Sequence, residues 1–434
     1  MPPPEARSGR AELPALPPAG PHLVVFSSLF PNALQPGAGL FVRERAFRLG
    51  QRLPITVVSP VPWFPLQGLL RRLRPGWRPP APNFERQGAV EVHFPRFLSL
   101  PGLGRRFDAW SMALAAWPLL RRLQRQGRLH AIDAHFGYPD GTAAARLARW
   151  LGVPATVTLR GTESRHASDP VLGPQLARAL KGLDRVFSVS DSLRQVALQL
   201  GVPSDRTKVV GNGVDLSRFQ PLPQSECRAA LGLPVDARVL VTVGGLCERK
   251  GFHRVIALLP ALRQQFPTLH YLAVGGPSPE GDWTERLKQQ ARDLGVADIV
   301  HFTGPQPPDA LRRHLSAADV FVLSTRNEGW ANVFLEAMAC GLPVVTTTVG
   351  GNAEVVCRDD LGRLVPFDDA PRLQAAIDDA LRHPWDRAAL RAYAEANTWD
   401  RRIDVLEHEF RALAGHGADR PAGSPRPAAP GGAR

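Results

Sequence analysis

Short apolar runs, each closed by turn residues and most of them followed by a segment of helical spacing, recur along this chain in two series. Leu23–Phe26, Ile55–Ser59, Ile132–His135, Ala155–Leu159, Val186–Val189 and Lys208–Val210 make up the first. Val239–Val243, Tyr271–Gly275, Val300–Gly304, Val320–Leu323, Val344–Thr348 and Gly362–Val365 make up the second. Runs without polar alternation predict strands buried on both faces, as in parallel sheets. Between them, the spacing predicts a helix from about Leu40, with Phe41, Ala46 and Leu49 on one side, and further helices over Thr142–Leu151, Ser190–Leu200, Glu285–Leu294, Leu311–Ala317 and Pro371–Arg382. A last helix over Trp399–Ala412 carries Trp399, Ile403, Leu406 and Phe410 on one face. Strand and helix alternate throughout, which predicts an α/β protein with doubly wound sheets.

The stretch Asp319–Val356 reads as strand, loop, helix, strand, loop. Asn332 is the expected cap of its helix, Val333, Phe334, Ala337 and Met338 its apolar face, and Gly341 and Pro343 its stop. Glu328 and Glu336 stand eight residues apart. On a single helix they would be splayed by roughly 80°, at about 3.6 residues per turn. The spacing makes sense when Glu328 belongs to the loop, so that the two carboxylates touch different parts of one elongated ligand. Between them, the amides of Asn332, Val333 and Phe334 open a helix, which suits an anion such as a diphosphate. The loops lie at the carboxyl ends of neighbouring parallel strands, where such sheets bind ligands.

The segment EGWANVFLEAMACGLPVV resembles the E-x7-E signature of the retaining glycosyltransferases of family 4, which have the GT-B fold: two Rossmann-like doubly wound domains facing across a cleft. The resemblance covers roughly Leu23 to Ala412 and is strongest in the second half. It implies that Glu328, with Gly329 beside it, contacts the donor sugar, that Glu336 holds the ribose, and that the helix amides hold the diphosphate. In the segment GGLCERKGF, residues 244–252, Lys250 is one of only 4 Lys beside 49 Arg, and its compact ammonium suits a diphosphate oxygen. The matching family loop supplies an Arg after its first glycine, Gly244 here, and a Lys before its last. This chain has the Lys but carries Gly245 at the Arg position, leaving Arg249 as the alternative second cation.

On the acceptor side the turn His135, Pro139, Asp140, Gly141 resembles the family's H-x-x-x-P-D-G, and the loop holding Gly37 and Gly39 corresponds to one that shapes the cleft. For His135, an acceptor-site role and a satisfied loop histidine both stay open. Many members carry His-Gly-x-Asp where this chain has Arg160, Gly161, Thr162 and Glu163. Arg160 could hold a phosphate or an acidic acceptor, but it accepts no proton at neutral pH.

At 434 residues the chain is too long for one ordinary core, and two domains of about 200 residues are expected. The segment GNGVDLSRF separates them. The expected division is a disordered arm at 1–20, an acceptor domain at 21–212, a nucleotide-sugar domain at 213–398, a helix at 399–413 that the resemblance sends back to the first domain, and a disordered tail at 414–434. No internal repeat is visible, which argues against a solenoid.

Apolar residues at 44% and charged residues at 21% are globular composition. The net charge of +13 is uneven: from Arg71 to Arg128 twelve Arg face three acids, interleaved with Trp63, Phe64, Leu69, Leu70, Leu73, Trp77, Phe94, Phe97, Trp110 and Trp117 nearby. Such a mixture suits an anionic membrane surface, and equally a solvated Arg-rich face over a core of aromatics. Nucleic acid is not expected, because no helix-turn-helix, zinc-finger or RRM pattern occurs. No run of 18 apolar residues and no signal-peptide core is present, so a cytoplasmic protein is expected, with peripheral attachment to the inner membrane face left open. Cys227, Cys247, Cys340 and Cys357 read as free thiols.

No Asp-x-Asp and no His/Cys cluster with metal spacing occurs, so no metal or other cofactor is expected. The resemblance implies transfer from a nucleoside diphosphate sugar to a glycan or lipid-linked glycan hydroxyl. A GT-B binding module without turnover, another GT-B activity such as a UDP-sugar 2-epimerase or a phosphorylase, and a basic nucleic-acid or membrane scaffold are the alternatives.

Overall fold

The computed structural model describes residues 19–418, apart from residues 66, 69–71, 73–80, 101–103 and 279. Nearly all of the expected arm, most of the expected tail, and Arg71, Arg74, Arg78, Leu69, Leu70, Leu73 and Trp77 of the Arg-rich stretch lie outside the described residues.

The first lobe contains β1 (Leu23–Phe26), β2 (Ile55–Val58), β3 (Val61–Trp63), β4 (Phe84–Gln87), β5 (Val90–His93), β6 (Arg96–Leu98), β7 (Ala131–His135), β8 (Ala155–Leu159), β9 (Arg185–Ser188) and β10 (Thr207–Val209). Eight of them form one sheet in the order β10-β9-β8-β7-β1-β2-β5-β4, parallel except for the last pair, and β3 pairs with β6 separately. The second lobe has β11 (Arg238–Val243), β12 (Leu269–Val274), β13 (Val300–Gly304), β14 (Val320–Leu323), β15 (Val344–Thr347) and β16 (Gly362–Val365), all parallel, in the order β13-β12-β11-β14-β15-β16. The central strands β1, β7, β8, β14 and β15 are buried at every residue; β1 and β14 are accordingly unbroken apolar runs, while β7, β8 and β15 also bury Asp133, His135, Thr156, Thr158, Thr346 and Thr347. In the hairpin β4–β5 burial alternates instead: β5 buries only Val90 and Val92, β4 has Phe84 as its sole apolar residue, and no run marks either strand.

Several local expectations change. The helix Leu40–Gly50 buries Val42, Arg45, Ala46 and Leu49, while Phe41 turns to the cleft. Arg45 is 1% exposed, packs over the Phe187 ring and lies 3.8 Å from Asp133, a charged residue on a stripe that an apolar pattern passes over. The helix Asn332–Ala339 is capped at Ala331 without a side-chain bond, and Asn332 is its first residue rather than its cap. Phe334, Leu335, Ala337, Met338 and Ala339 are all buried, because the helix lies between its sheet and the helix Arg387–Glu395, which the sequence pattern did not reveal. In the Arg-rich stretch, Phe94 and Phe97 are core residues at 1% and 4% exposure, whereas Trp63 and Trp110 are exposed. The four cysteines are unpaired, three of them buried.

Two short chain crossings connect the lobes. Val214 N–H donates to the Asn397 carbonyl at 3.1 Å, and a β-carbon on Gly213 would collide with the Trp399 backbone. The last helix, Trp399–Ala418, follows the second sheet in sequence but packs on the first: Ile403, Leu406 and Phe410 join the core around Val25 and Phe187, with the Phe187 and Phe410 rings 6.0 Å apart.

Candidate functional site

A cavity of about 650 Å³ lies between the lobes. Phe41, Arg160, Thr162, Arg165 and Asn212 line it from the first lobe, and Gly244, Arg249, Lys250, Glu328, Gly329, Trp330, Asn332, Val333 and Glu336 from the second.

On the second-lobe wall, β11 delivers the turn Glu248–Lys250, and β14 delivers the loop carrying Glu328. Gly251, at φ +78°, leaves no room for a β-carbon against the Ser324 carbonyl, so the two loops are in direct contact. Glu328 Oε1 accepts from Lys250 Nζ at 2.6 Å, Arg249 Nη1 at 2.9 Å and Thr325 Oγ1 at 3.1 Å. Arg249 also grips Glu280 through Nη2 at 2.6 Å and Nε at 2.7 Å. Burial opposes the Arg249 charge, but the Glu280 hydrogen bonds and the Glu328 charge outweigh it and hold the guanidinium above its usual value. Those bonds also hold the Glu280 carboxyl below the usual range. The second cation for which the sequence left room is therefore present at the cavity, but engaged by two acids.

Glu336 is the opposite case. Its carboxylate has no hydrogen bond or ion pair among the described residues, and burial together with the charge of Glu44 pushes its pKa up to about 7. The Phe334 N–H donates to the Ala331 carbonyl at 3.1 Å and its side chain is core, so Phe334 does not line the cavity. Asn332 and Val333 do, and their N–H groups find no acceptor among the described residues.

The first-lobe wall is built on Arg160. Its Nε and Nη2 lie 3.0 Å and 2.9 Å from His135 Nδ1, its Nη1 donates to Asn212 Oδ1 at 3.3 Å, and its guanidinium sits 5.0 Å over the Phe41 ring. Burial, with Arg45 nearby, pushes its pKa down to about 9, which leaves it charged at neutral pH. His135 is fully buried beneath Arg160 and does not reach the cavity. Burial, then Arg160 and Arg45, lower its pKa well below the usual value, so the ring is neutral and accepts at Nδ1. Glu163 is likewise buried, and its carboxylate accepts the N–H groups of Gly137 at 2.8 Å, Arg160 at 3.0 Å and Gly161 at 2.8 Å. Both residues thus support the wall without forming its surface.

Gly37 and Gly39 do not line the cavity; Gly39, at φ +66°, lies against the Leu29 carbonyl and shapes the loop. Gly245 is also set back, with Ser278 where a side chain would go. Asp140 accepts the Ser28 N–H and, at 3.0 Å, the Ser28 hydroxyl, tying the β1 loop to the turn Gly137–Gly141; burial pushes its pKa up to about 7. Sequence reasoning missed Phe41 as a cleft residue, and also Arg165, Asn212, Glu280 and Trp330. Asn212 Nδ2 donates to Asn332 Oδ1 at 2.8 Å across the lobes, and Trp330 packs on the cores of both. Asn212 sits in the segment GNGVDLSRF, so only its partner was invisible. Among the described residues no group of three metal-ligating side chains occurs, and no helix is long and apolar enough to cross a membrane.

Two α/β lobes built on parallel sheets and facing each other across a cleft at the carboxyl ends of their strands define a GT-B protein. A family model described as Glycosyl transferases group 1 matches residues 223–397, and one described as Glycosyltransferase Family 4 matches residues 37–218. The chain is 32% identical over 308 residues to the D-inositol 3-phosphate glycosyltransferase of Acidothermus cellulolyticus, covering 67% of this chain and 68% of that protein. It is 30% identical over 336 residues to a putative teichuronic acid biosynthesis glycosyltransferase of Bacillus subtilis, covering 75% and 80%. In fold it is similar to HepE of Anabaena solved in complex with UDP, at a TM-score of 0.67 and 20% identity over 90% of this chain and 100% of that one. The chain belongs to glycosyltransferase family 4 and is a glycosyltransferase with the GT-B fold.

Proposed function

We propose that this protein moves a sugar from a nucleoside diphosphate sugar to an acceptor hydroxyl, with anomeric retention, in the assembly of a cell-surface polysaccharide or glycolipid. The observation that carries this reading is the unpartnered Glu336 carboxylate, set one helix turn beyond the free Asn332 and Val333 amides and facing the Lys250–Glu328 pair in one cavity. Glu336 accepts the ribose hydroxyls, the amides and Lys250 hold the diphosphate, and Glu328 meets the donor sugar. Charge growing on the departing diphosphate is met by Lys250 and the helix amides, fixed charges and dipoles of the kind on which such catalysis chiefly depends. Arg160 and Arg165 face the acceptor. In this reading residues 21–212 are the acceptor domain, 213–398 the nucleotide-sugar domain and 399–413 the returning helix. The relatives named for inositol 3-phosphate and teichuronic acid, and the UDP held by HepE, support a nucleotide donor and a surface-glycan role.

A membrane-facing acceptor is supported by the start of the helix Asp108–Arg125 and the turn before it: Phe107, Trp110 and Leu114 are 56%, 52% and 44% exposed, with Arg105 and Arg106 beside Phe107 in the same turn. Exposed apolar side chains beside arginine suit the inner surface of an anionic bilayer, where each cation contributes about 1 kcal/mol.

The test is a thermal-shift screen of nucleotide sugars followed by product detection. The right donor at 100 times its dissociation constant adds about 2.7 kcal/mol. Absence of any shift across UDP, GDP, ADP and dTDP sugars would sink the donor assignment.

A further inference from the structure

Glu354 stands on the short helix Asn352–Val355 of the second lobe, yet its carboxylate serves the first: Oε2 accepts the Asp191 N–H at 2.5 Å and Oε1 the Ser192 N–H at 3.0 Å. These amides open the helix Asp191–Gln199, whose own cap, Ser190, takes just one backbone amide of the first turn, that of Leu193 at 3.4 Å, its hydroxyl also pairing with the Ser192 hydroxyl at 2.9 Å. A helix leaves its first N–H groups without internal acceptors, and a carboxylate there also meets the positive end of the helix. The missing acceptor comes from across the cleft.

The segment that carries Glu354 is also wedged against the donor loop. Gly350, at φ +53°, has no room for a β-carbon because of the Glu328 carbonyl. Gly351 is boxed in between the Gly329 carbonyl and Ser190 of the first lobe, and its N–H donates to the Glu328 carbonyl at 3.3 Å. Gly329 in turn lies against the Arg160 carbonyl and Gly161. Asn352, fully buried, pins the base: its Nδ2 donates to Thr346 Oγ1 at 3.2 Å and to the Thr347 carbonyl at 3.0 Å. Glu354, Gly350–Gly351 and Glu328–Gly329 are therefore one contiguous body, touching the first lobe at both Ser190–Ser192 and Arg160–Gly161. The lobes are otherwise tied covalently only by the crossings near Val214 and Thr398, and two lobes on so short a hinge move relative to one another by default.

We propose that Glu354 is a positioning residue for transfer: by capping the helix Asp191–Gln199 of the opposite lobe it holds the cleft closed and seats the Glu328–Gly329 loop against Arg160. The inference rests on the transferase reading above.

Two variants remove the contact from opposite sides. Glu354→Ala deletes the acceptor. Asp191→Pro deletes one donor at the first helical position, where proline is tolerated and the preceding Ser190 is already extended at φ −145° and ψ 158°. Each should speed amide exchange in a peptide spanning residues 190–194 by about tenfold or more, as expected for loss of a charge-assisted hydrogen bond. Each should lower kcat for transfer by about tenfold while UDP affinity stays within about twofold, because the second lobe alone holds the nucleotide. Glu354→Gln, which keeps one acceptor oxygen, should fall between, and the double variant should be no worse than the poorer single one. Parent-like exchange, or parent-like kcat once the amides are released, overturns the positioning role and leaves the transferase reading standing. A parent protein that binds no nucleotide sinks the transferase reading and the positioning role with it.

Discussion

Lys250 Nζ lies 2.6 Å from Glu328 Oε1, and Arg249 shares the same oxygen at 2.9 Å, so the cations of the donor wall are paired to its acid. In the proposed reading, an incoming diphosphate takes Lys250 from Glu328 and frees the carboxylate to turn toward the sugar. Glu328→Ala should therefore bind free UDP at least as tightly as the parent while losing transfer. Lys250→Ala should bind UDP more weakly and transfer on the order of a hundredfold more slowly, as when one stabiliser of a developing anion is removed. Calorimetric titration with UDP beside a transfer assay separates the two; weaker UDP binding by Glu328→Ala contradicts these roles.

The Glu336 pKa, pushed up to about 7 from the usual 4.5, gives a pH dependence of defined sign. Ribose hydroxyls donate to a carboxylate, so binding requires the ionised form, and UDP affinity should fall by about tenfold from pH 8 to pH 6. Glu336→Gln should bind more weakly and lose most of this slope. For stability the direction is opposite. The folded state holds this proton more tightly than the unfolded state, so the contribution is fully present below pH 4.5 and is lost as pH rises through about 7. A UDP affinity that rises on acidification would exclude Glu336 as the ribose acceptor.

Gly350→Ala tests the packing of the donor loop. Its left-handed φ of +53° and the Glu328 carbonyl beside it both oppose a side chain. The variant should lose about 1–3 kcal/mol of stability and displace Glu328, lowering transfer more than UDP binding. Melting and activity equal to the parent's would show that the loop yields without consequence.

The exposed face at Phe107, Trp110 and Leu114 predicts sedimentation with anionic vesicles at low salt. Release should follow as added salt shortens the Debye length from about 10 Å at 0.1 M. Changing Phe107 and Trp110 to Ser, or Arg105 and Arg106 to Ser, should abolish it. Equal binding to neutral and anionic vesicles, or none to either, leaves an acceptor free in solution as the better account.

The strands at Ala155–Leu159, Val300–Gly304 and Val320–Leu323 begin and end where the sequence pattern predicts. β8 and β14 are buried at every residue, and the polar residues within β8, Thr156 and Thr158, are β-branched and keep the strand signal. The helix Phe252–Gln265 was less legible because Pro260 stands inside it, a residue that locally argues for a break. Arg45 shows the other limit: its guanidinium occupies a core position on a helix, and polarity along the chain assigns it to the surface.

The sequence by itself determined the two α/β lobes, the family, and the placing of Glu328 on a loop and Glu336 on a helix, because burial periodicity, turn residues and a contiguous motif are local properties of the chain. Only the tertiary structure decided that Arg249 and Lys250 are neutralised by Glu328 and Glu280, that His135 lies under Arg160 instead of facing the cleft, and that Glu354 caps a helix of the other lobe. Those pairings join residues 78 positions apart for Lys250 and Glu328 and 163 apart for Asp191 and Glu354. Which acid a cation meets at that separation depends on how folded loops converge, and no periodicity along the chain records it.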